Sequence, residues 1–293
     1  MGAGGSSVSA REFPFTSSDF ERIRTLAYQN VGISLSTSKD ELVYSRVSRR
    51  LRATGHTSFA SYLDALRPDS SEFEQFVNVL TTNLTAFFRE AHHFTRLAQL
   101  LPTMPQPITI WCAACSTGEE PYSIAMTAAE TFDTLTPPVR IIASDVDTAV
   151  IASARNGVYT EERCASLGAA RMQRFFLRGK GDRAGQVRVR PELQKLISFG
   201  QINLLDPQWP IDGPLGAIFC RNVMIYFDRE TQQRLLTRFV PLLDAQGLLF
   251  LGHSESIQPG TQPLDNLGQT VYARSATGAS AANTRSRSLR GAA

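Results

Sequence analysis

The sequence predicts an α/β protein in which a small all-helical domain precedes a Rossmann-like domain built on a mostly parallel sheet. Helical patterns without any β-rich run extend from Thr16 to about Thr82. From Ile108 onward, strand and helix patterns alternate, which is the order that a doubly wound parallel sheet requires. Residues 160–200 interrupt the alternation with two short β patterns around a glycine-rich loop, which predicts a small inserted antiparallel β-subdomain.

The predicted domain boundaries follow changes in composition. Both ends of the chain are rich in small and polar residues without periodicity, so we expect them to be disordered. Pro102, Pro105 and Pro107 separate the helical part from the alternating part. The predicted segments are a tail at 1–11, a helical domain at 12–82, a linker helix at 83–107, a sheet domain at 108–274 with its insertion at about 165–195, and a tail at 275–293.

Composition limits the class of protein. The apolar fraction of 42% supports a proper core, and the formal charge of +3 is too small to indicate nucleic-acid binding by itself. No run of about 18 apolar residues is present, and Met1–Ala10 lacks the apolar core of a signal peptide, so we expect a cytoplasmic protein that does not insert into membranes. Cys112 and Cys115 form a CxxC, which without a second ligand pair is better explained by small residues in a crowded turn than by zinc or redox chemistry.

One predicted helix carries a dense basic patch. It starts at Ser38 or Asp40 and ends at Gly55, with an apolar stripe on one side. Four arginines occur within seven residues, namely Arg46, Arg49, Arg50 and Arg52. A solvated helix face and a binding surface for an acidic partner both explain this patch.

The stretch Pro107–Tyr122, PITIWCAACSTGEEPY, predicts a strand, a tight turn and a helix. Such a turn brings a ligand against a helix N-terminus, which is how nucleotide-like cofactors bind in doubly wound folds. Only one glycine stands in the turn, so the dinucleotide fingerprint is absent. Because Glu119 and Glu120 would repel a pyrophosphate, a cationic nucleoside fits this turn better than NAD does.

The second predicted strand, Val139–Ala143, is followed by two acidic residues. An acidic side chain at this strand end is placed to accept both hydroxyls of a ribose. It can also cap the next helix. We expect Asp147 to cap the helix and Asp145 to stay free for the ribose.

Six motifs carry a family resemblance. TTNLTAFFRE, STGEEPYSIA, ASDVD, INLLD, CRNVMIYF and GHSES, in this order and spacing, closely resemble the chemotaxis receptor methyltransferases of the CheR type. The resemblance covers roughly residues 12–275. It implies an S-adenosylmethionine-dependent protein-glutamate O-methyltransferase that methylates the cytoplasmic helices of chemoreceptors and releases S-adenosylhomocysteine.

The resemblance also implies which residues bind the cofactor, S-adenosylmethionine, without any metal. The implied cofactor contacts are Asn83, Thr85, Arg89, Glu119, Asp145, Asn203, Leu204, Arg221 and Asn222. Arg89 and Tyr226 are the candidates for holding the acceptor carboxylate, and Tyr226 can equally be a packing aromatic. A glutamate is already ionised at pH 7, so its oxygen can attack the sulfonium methyl without a general base.

Three alternative functions are weighed against this one. A nucleic-acid N-methyltransferase is expected to carry a [DN]PPY-like motif after the fourth strand, and RNVMIYF has none. A non-catalytic S-adenosylmethionine sensor would keep the pocket but needs no acceptor groove. An NAD-dependent oxidoreductase is disfavoured by Glu119 and Glu120.

Two surfaces are candidates for receptor contact. The resemblance favours a receptor-binding role for the arginine patch, because receptor methylation regions are acidic helical bundles. The inserted loop GKGDRAG resembles that of family members which dock on a short peptide at the receptor C-terminus, and its exposed strand edge could accept such a peptide. The candidate tether residues are Gly179, Gly181, Gly185 and Arg188. We expect a monomer.

Overall fold

The computed structural model describes residues 11–275, which form two compact units with a boundary after residue 81. The sequence places the end of the helical domain at residue 82. The predicted tails lie outside the described residues except for their inner ends, Arg11 and Ser275. Arg11 pairs with Asp40 at 3.4 Å, and Ser275 N donates to Pro263 O at 3.0 Å, so these two residues belong to the folded part.

The first unit consists of short helices with clear start and stop signals. Its α-helices among the described residues are α1 (Ser17–Val31), α2 (Asp40–Thr54), α3 (Phe59–Ala65) and α4 (Ser71–Leu80), with a 3₁₀ turn at Thr37–Lys39. Thr16 and Asp19 cap α1 reciprocally: each side chain accepts a hydrogen bond from the backbone N–H of the other. Gly32 and Gly55 end α1 and α2 in left-handed backbone.

The core of the first unit forms on the predicted stripe of α2. Val43, Val47 and Leu51 are fully buried, and so are Phe59 of α3 and Phe76 of α4. Val43, Val47 and Leu51 are spaced four residues apart along α2, which places them on one face of the helix. The basic patch of α2 is therefore confined to its remaining faces.

The second unit holds the rest of the described chain. Its elements are α5 (His92–Leu100), β1 (Ile108–Cys112), α6 (Glu119–Thr131), β2 (Val139–Asp145), α7 (Thr148–Asn156), β3 (Val158–Thr160), α8 (Gly168–Phe175), β4 (Phe176–Arg178), β5 (Gln186–Val189), α9 (Pro191–Gln194), β6 (Ile197–Gln201), β7 (Leu215–Cys220), α10 (Arg229–Phe239), β8 (Leu243–Leu251), β9 (Leu264–Asn266) and β10 (Val271–Arg274).

A seven-stranded sheet with the order β6-β2-β1-β7-β8-β10-β9 organises this unit. The first five strands in that order pair in parallel, and β10 and β9 add an antiparallel edge. The predicted Rossmann-like, mostly parallel sheet is thus confirmed. Parallel strands place all their carboxyl ends at one edge of the sheet, where ligands of such folds bind.

Both faces of the sheet are covered, as expected for parallel strands. Ile110 of β1 packs into one apolar cluster with residues of α5 and α6, while its neighbour Trp111 packs into the other with residues of α10. The ring of Trp111 contacts that of Phe239 edge-on at 5.4 Å. Residues 11–275 contain no helix that is both long and apolar enough to span a membrane.

The inserted subdomain has one strand more than a hairpin. Its sheet has the order β3-β5-β4, with antiparallel pairing throughout. The additional strand, β3, begins one residue after Gly157 ends α7, before the predicted insertion at about 165–195. Three residues are too few for an alternating pattern to be recognised in the sequence, so β3 becomes evident only through its pairing with β5.

Candidate functional site

The turn between β1 and α6 lies at the carboxyl edge of the sheet. Gly118 takes φ 99° immediately before α6, and Ser116 takes φ 47°. A Cβ on Gly118 would come within 2.7 Å of Tyr159 Oη, so only glycine fits here. The turn is held to the neighbouring strand by Ser116 N, which donates to Asp145 Oδ2 at 2.8 Å.

Asp145, the last residue of β2, and Asp147, two residues later, have different partners. Asp147 Oδ1 accepts hydrogen bonds from the backbone N–H groups at the start of α7, so Asp147 caps that helix. Asp145 is not free of protein partners, which corrects the expectation. Its Oδ1 accepts from Asp147 N at 3.0 Å and its Oδ2 from Ser116 N, because a buried carboxylate requires donors.

Asp145 keeps the capacity to bind a ligand. A carboxylate has about four lone-pair sites, and the backbone N–H groups of Ser116, Val146 and Asp147 occupy at most three of them. Burial is the largest influence on this carboxyl group and raises its pKa to about 6. Asp145 can therefore accept hydrogen bonds from a ribose, and its protonation is sensitive to mildly acidic pH.

Two further predicted contacts approach the same turn from earlier in the chain. Asn83 Nδ2 donates to Asp147 Oδ2 at 2.9 Å, and Ser116 Oγ donates to Asn83 O at 3.3 Å. Thr85 follows in the same segment and is half-buried. This segment therefore lies directly against the β1–α6 turn.

The predicted adenine-flanking residues follow β6, the neighbour of β2. Ile202 N donates to Asp145 O at 3.1 Å, which brings the next residues, Asn203 and Leu204, beside the end of β2. Asn203 Oδ1 accepts from Leu205 N, and the side chain of Leu204 is buried. The predicted residues of β2 and β6 thus lie side by side at the edge of the sheet.

The two glutamates that begin α6 each have an arginine partner. Arg163 Nη2 donates to Glu119 Oε1, and Arg221 Nη1 donates to Glu120 Oε2 at 2.7 Å. Burial raises the pKa of Glu120 in spite of Arg221. Because both carboxylates are paired, the two glutamates do not present the unopposed negative charge on which the preference for a cationic ligand over NAD was based.

Arg89 lies in a backbone turn of unusual conformation. Its neighbours Phe88 and Glu90 have φ 52° and 58°, which is rare for residues other than glycine and marks a turn held by its surroundings. Arg89 O accepts from Arg221 Nη2 at 2.6 Å, and its own Nη1 donates to Leu84 O at 3.0 Å. The side chain of Arg89 is 32% exposed.

Glu90 connects this turn to the ends of two central strands. Its carboxylate lies 3.3 Å from Arg221 Nη2 and 3.4 Å from Asn222 Nδ2, both after β7, and 3.2 Å from His253 Nδ1, after β8. Burial opposes ionisation of Glu90, but the charge of Arg221 and the hydrogen bond from His253 outweigh it and lower the pKa of Glu90. The carboxylate is therefore charged at neutral pH.

Asn222 and Tyr226 follow β7. Asn222 has φ 58°, and its backbone N–H donates to Glu255 Oε2 at 2.9 Å. Tyr226 is half-buried at the end of the 3₁₀ turn Met224–Tyr226. A groove opens beside this turn, between residues 224–236 and the segment 251–261 that contains the GHSES motif.

Sequence reasoning missed three residues that organise the site: Glu90, Arg163 and Glu255. Glu90 and Glu255 stand inside the quoted motifs FFRE and GHSES, so the motifs themselves were a signal. Arg163 lies in the insertion, outside every motif. Its pairing with Glu119 spans 44 residues of sequence and could be found only in the fold.

The comparison with protein families decides the identity of this arrangement. The model described as the CheR methyltransferase SAM-binding domain matches residues 83–273, and the model described as the CheR methyltransferase all-alpha domain matches residues 18–81. The chain belongs to the CheR methyltransferase family. This membership confirms the resemblance, the S-adenosylmethionine cofactor and the predicted methyltransferase class.

Individual relatives agree with the family assignment. "Chemotaxis protein methyltransferase 2" of Pseudomonas aeruginosa is 54% identical over 265 residues, which is 89% of this chain and 95% of the relative. "Chemotaxis protein methyltransferase" of Escherichia coli is 51% identical over 258 residues, which is 87% of this chain and 90% of the relative. A TehB-like SAM-dependent methyltransferase structure from Corynebacterium glutamicum, 13% identical, covers 63% of this chain and 96% of its own with a TM-score of 0.35, a likeness too low to support an argument.

The residues of this CheR methyltransferase domain fit a nucleoside with an amino-acid arm. Asp145 supplies a buried acceptor at the strand end where riboses bind in such folds. Glu119, at the start of α6, is a second buried carboxylate, and it is paired with Arg163. The backbone turn at 113–118 gives access to the helix N-terminus.

A possible metal cluster is a poor fit to this site. Donor atoms of Glu90, His92 and His93 lie within 4.8 Å of one another. His93 is fully buried, and its Nε2 lies 2.8 Å from Gln269 O. The guanidinium of Arg221 already neutralises Glu90 and would repel a second cation.

The arginine patch of α2 is largely engaged within its own unit. Arg50 pairs with Glu72 at 2.6 Å, Arg52 pairs with Glu12 at 2.5 Å, and Arg46 Nη1 donates to the carbonyls that end α4. Arg49 is exposed. The patch is therefore partly structural, which the sequence could not show.

The glycines of the inserted loop lie at positions that other residues would not fit. Gly181 and Gly185 take φ 57° and 80°, and a Cβ on Gly179 would come within 2.1 Å of Arg183 O. Arg188 is exposed on the central strand β5. The two outer strands, β3 and β4, are the edges of this small sheet.

Proposed function

We propose that this protein transfers methyl groups from S-adenosylmethionine to glutamate side chains of chemoreceptors, as a protein-glutamate O-methyltransferase in chemotaxis. Relatives about 50% identical over most of the chain are named chemotaxis protein methyltransferases, which supports this assignment. When bound, S-adenosylmethionine supplies a methyl group on a positively charged sulfur. The chain itself has to bind, orient and desolvate the two reactants.

The observation that carries the proposal is the state of Arg89. Among the described residues, its hydrogen bonds use only Nη1, on Leu84 O, and its Nε lies 4.0 Å from Glu90. Nη2 remains available to hold an acceptor carboxylate, and arginine presents its donors in a plane that matches a carboxylate. Because a glutamate acceptor is already ionised, the reaction needs this positioning and no general base.

The other predicted site residues have distinct roles in this proposal. Asp145 holds the ribose, Asn203 and Leu204 flank the adenine, and Glu119 faces the ammonium group of the amino-acid arm. Tyr226 ends the 3₁₀ turn whose first two residues, Met224 and Ile225, line the groove in which an acceptor helix would bind. A groove of this kind favours an enzyme over a non-catalytic sensor.

Receptor contact is assigned to two surfaces. The exposed side of α2, with Arg49 at its centre, would steer the enzyme onto an acidic helical bundle. An edge of the inserted sheet would bind a C-terminal receptor peptide, and a flexible receptor tail would then raise the local concentration of enzyme toward the millimolar range. The enzyme is proposed to act in the cytoplasm as a monomer.

The test is transfer of labelled methyl groups to receptors from the same cell. Methyl esters of glutamate hydrolyse in alkali, whereas methylated nitrogens do not, so alkaline release of labelled methanol identifies the product. Alkali-labile transfer is expected, and Arg89→Ala should abolish it even at saturating S-adenosylmethionine. Cofactor binding without any transfer would instead favour the non-catalytic sensor.

A further inference from the structure

The inserted subdomain is in direct contact with the turn that begins α6. Tyr159, the central residue of β3, donates from its hydroxyl to Thr117 O at 2.7 Å. The next residue, Gly118, lies so close to this hydroxyl that a Cβ would be 2.7 Å from it. The inserted subdomain therefore packs directly against the turn between β1 and α6.

Arg163 makes a second contact from the insertion to the same turn. It lies in the 3₁₀ segment that follows β3, and its Nη2 donates both to Glu119 Oε1 and to Thr117 Oγ1, the latter at 3.2 Å. Thr117 Oγ1 in turn donates to Glu119 Oε2 at 2.7 Å. Both oxygens of Glu119 are thus engaged, one of them by a full positive charge.

The two members of this ion pair differ in their access to solvent. Glu119 is 1% exposed, whereas the side chain of Arg163 is 45% exposed. The carboxylate is fixed at the start of α6, and the arginine can move away from it toward water. Such a pair can be opened by another cation that reaches the carboxylate from the cofactor side.

We propose that Arg163 is an affinity-setting residue that competes with the α-ammonium group of the cofactor for Glu119. The inference rests on the proposed function, in which Glu119 faces that ammonium group. The guanidinium of Arg163 and the α-ammonium group of the cofactor repel each other when both approach Glu119. Cofactor binding therefore requires Arg163 to move away or is weakened by this repulsion. The inserted subdomain thereby lowers the affinity for cofactor through a residue outside all six family motifs.

If Arg163 bound the cofactor directly, its removal would change the cofactor affinity in the opposite direction. If its guanidinium bound the carboxylate group of the amino-acid arm, removing it would weaken binding. A competitor for Glu119, by contrast, tightens binding when it is removed. The sign of the change therefore separates the two roles.

The experiment measures dissociation constants by calorimetry at low salt for the full-length protein and for Arg163→Gln. The ligands are S-adenosylmethionine, S-adenosylhomocysteine and 5′-methylthioadenosine, which lacks the amino-acid arm. We expect Arg163→Gln to bind the first two roughly two- to fivefold more tightly, the range for a partly exposed charge pair, and the third unchanged. The increase in affinity caused by Arg163→Gln should be smaller at high salt, because salt screens the partly exposed charge of Arg163.

Three variants complete the test. Arg163→Lys keeps the charge and should bind as the wild type does. Arg174→Gln removes an arginine that pairs with Asp133, beyond the other end of α6, and should leave all three affinities unchanged. Glu119→Gln should weaken the two ligands that carry an ammonium group and spare 5′-methylthioadenosine.

The inference is overturned if Arg163→Gln weakens binding, changes all three ligands equally or changes none. It is also overturned if Glu119→Gln leaves S-adenosylmethionine binding intact in a folded protein. Failure of the proposed function would look different, because the wild-type protein would then transfer no methyl group to receptors whatever its affinities.

Discussion

Glu90 Oε2 lies 3.3 Å from Arg221 Nη2, and the same nitrogen donates to Arg89 O at 2.6 Å. One guanidinium thus joins the Arg89 turn to the carboxyl end of β7. Arg221 also reaches Glu120 at the start of α6, so three segments meet on a single buried arginine. The position of Arg89 depends on this junction and on the carboxylate of Glu90 that completes it.

Glu90→Gln should slow methyl transfer without abolishing cofactor binding. Loss of a hydrogen bond to a charged group costs about 1.5–3 kcal/mol. Because the position of Arg89 depends on the Glu90 carboxylate, we expect kcat to fall roughly ten- to hundredfold. Asp133→Asn, which removes a carboxylate paired with Arg174, is the control. An unchanged kcat in a folded Glu90→Gln protein would show that Glu90 does not position Arg89.

Asp145→Ala should weaken the binding of S-adenosylmethionine and S-adenosylhomocysteine. Ribose hydroxyls that lose a charged acceptor lose about 1.5–3 kcal/mol, which corresponds to roughly a ten- to hundredfold higher dissociation constant. Calorimetry on the folded variant is the measurement. Wild-type affinity would remove Asp145 from the site.

The raised pKa of Asp145 gives two pH effects. Its folded pKa of about 6 lies above the ordinary 3.8, so its contribution to stability is full below pH 3.8 and is lost as the pH rises through 6. Asp145→Asn, which cannot ionise, should therefore gain about 2–3 kcal/mol relative to the wild type between pH 4 and pH 7.5, at about 1.4 kcal/mol per pKa unit. Denaturant unfolding at the two pH values tests this, and a pH-independent difference would contradict it.

The second effect concerns the ligand. Ribose hydroxyls donate most strongly to the ionised carboxylate, so cofactor affinity should decline as the pH falls below about 6. The decline should be absent in Asp145→Asn. Calorimetry at several pH values between 5 and 8 provides the comparison, and an identical decline in both proteins would assign it to another group.

Arg49→Glu should reduce receptor methylation while leaving cofactor affinity unchanged. Arg49 is the suitable position because Arg46 and Arg50 also stabilise the first unit, through the end of α4 and through Glu72. The reduction should be greatest at low salt, where steering is strongest. Arg24→Glu on α1 is the control, and equal methylation by both variants would leave the patch as a solvated surface.

The tether is tested with peptides that match receptor C-termini. Binding should be detected by titration and weakened by Arg188→Glu, since Arg188 is exposed on β5 between the two edge strands. Removing the receptor tail should lower the methylation rate for the wild type only. No binding by any tail peptide, together with equal rates for both receptor forms, would exclude the tether.

Local sequence patterns predict the strands of the sheet, whereas they do not predict which side chains pair with one another. The apolar runs predict strands at Ile108–Cys112 and Leu215–Cys220, and β1 and β7 have these limits, because continuous apolar runs between turn signals mark buried strands. β3 was missed, since it is short and borders directly on a helix. The pairing of Glu119 with Arg163 and of Glu90 with Arg221 depends on segments far apart in sequence, and no local pattern encodes such partners.

The central strand of the sheet also has a consequence for synthesis of the chain. Cys112 of β1 pairs with Ala143 of β2 on one side and with Phe219 of β7 on the other, about a hundred residues later. At translation rates of roughly 5–20 residues per second, β7 leaves the ribosome several seconds after β1 and β2. During that interval an apolar strand edge is open to other chains, so the nascent protein is exposed to misassociation before its cofactor site can form.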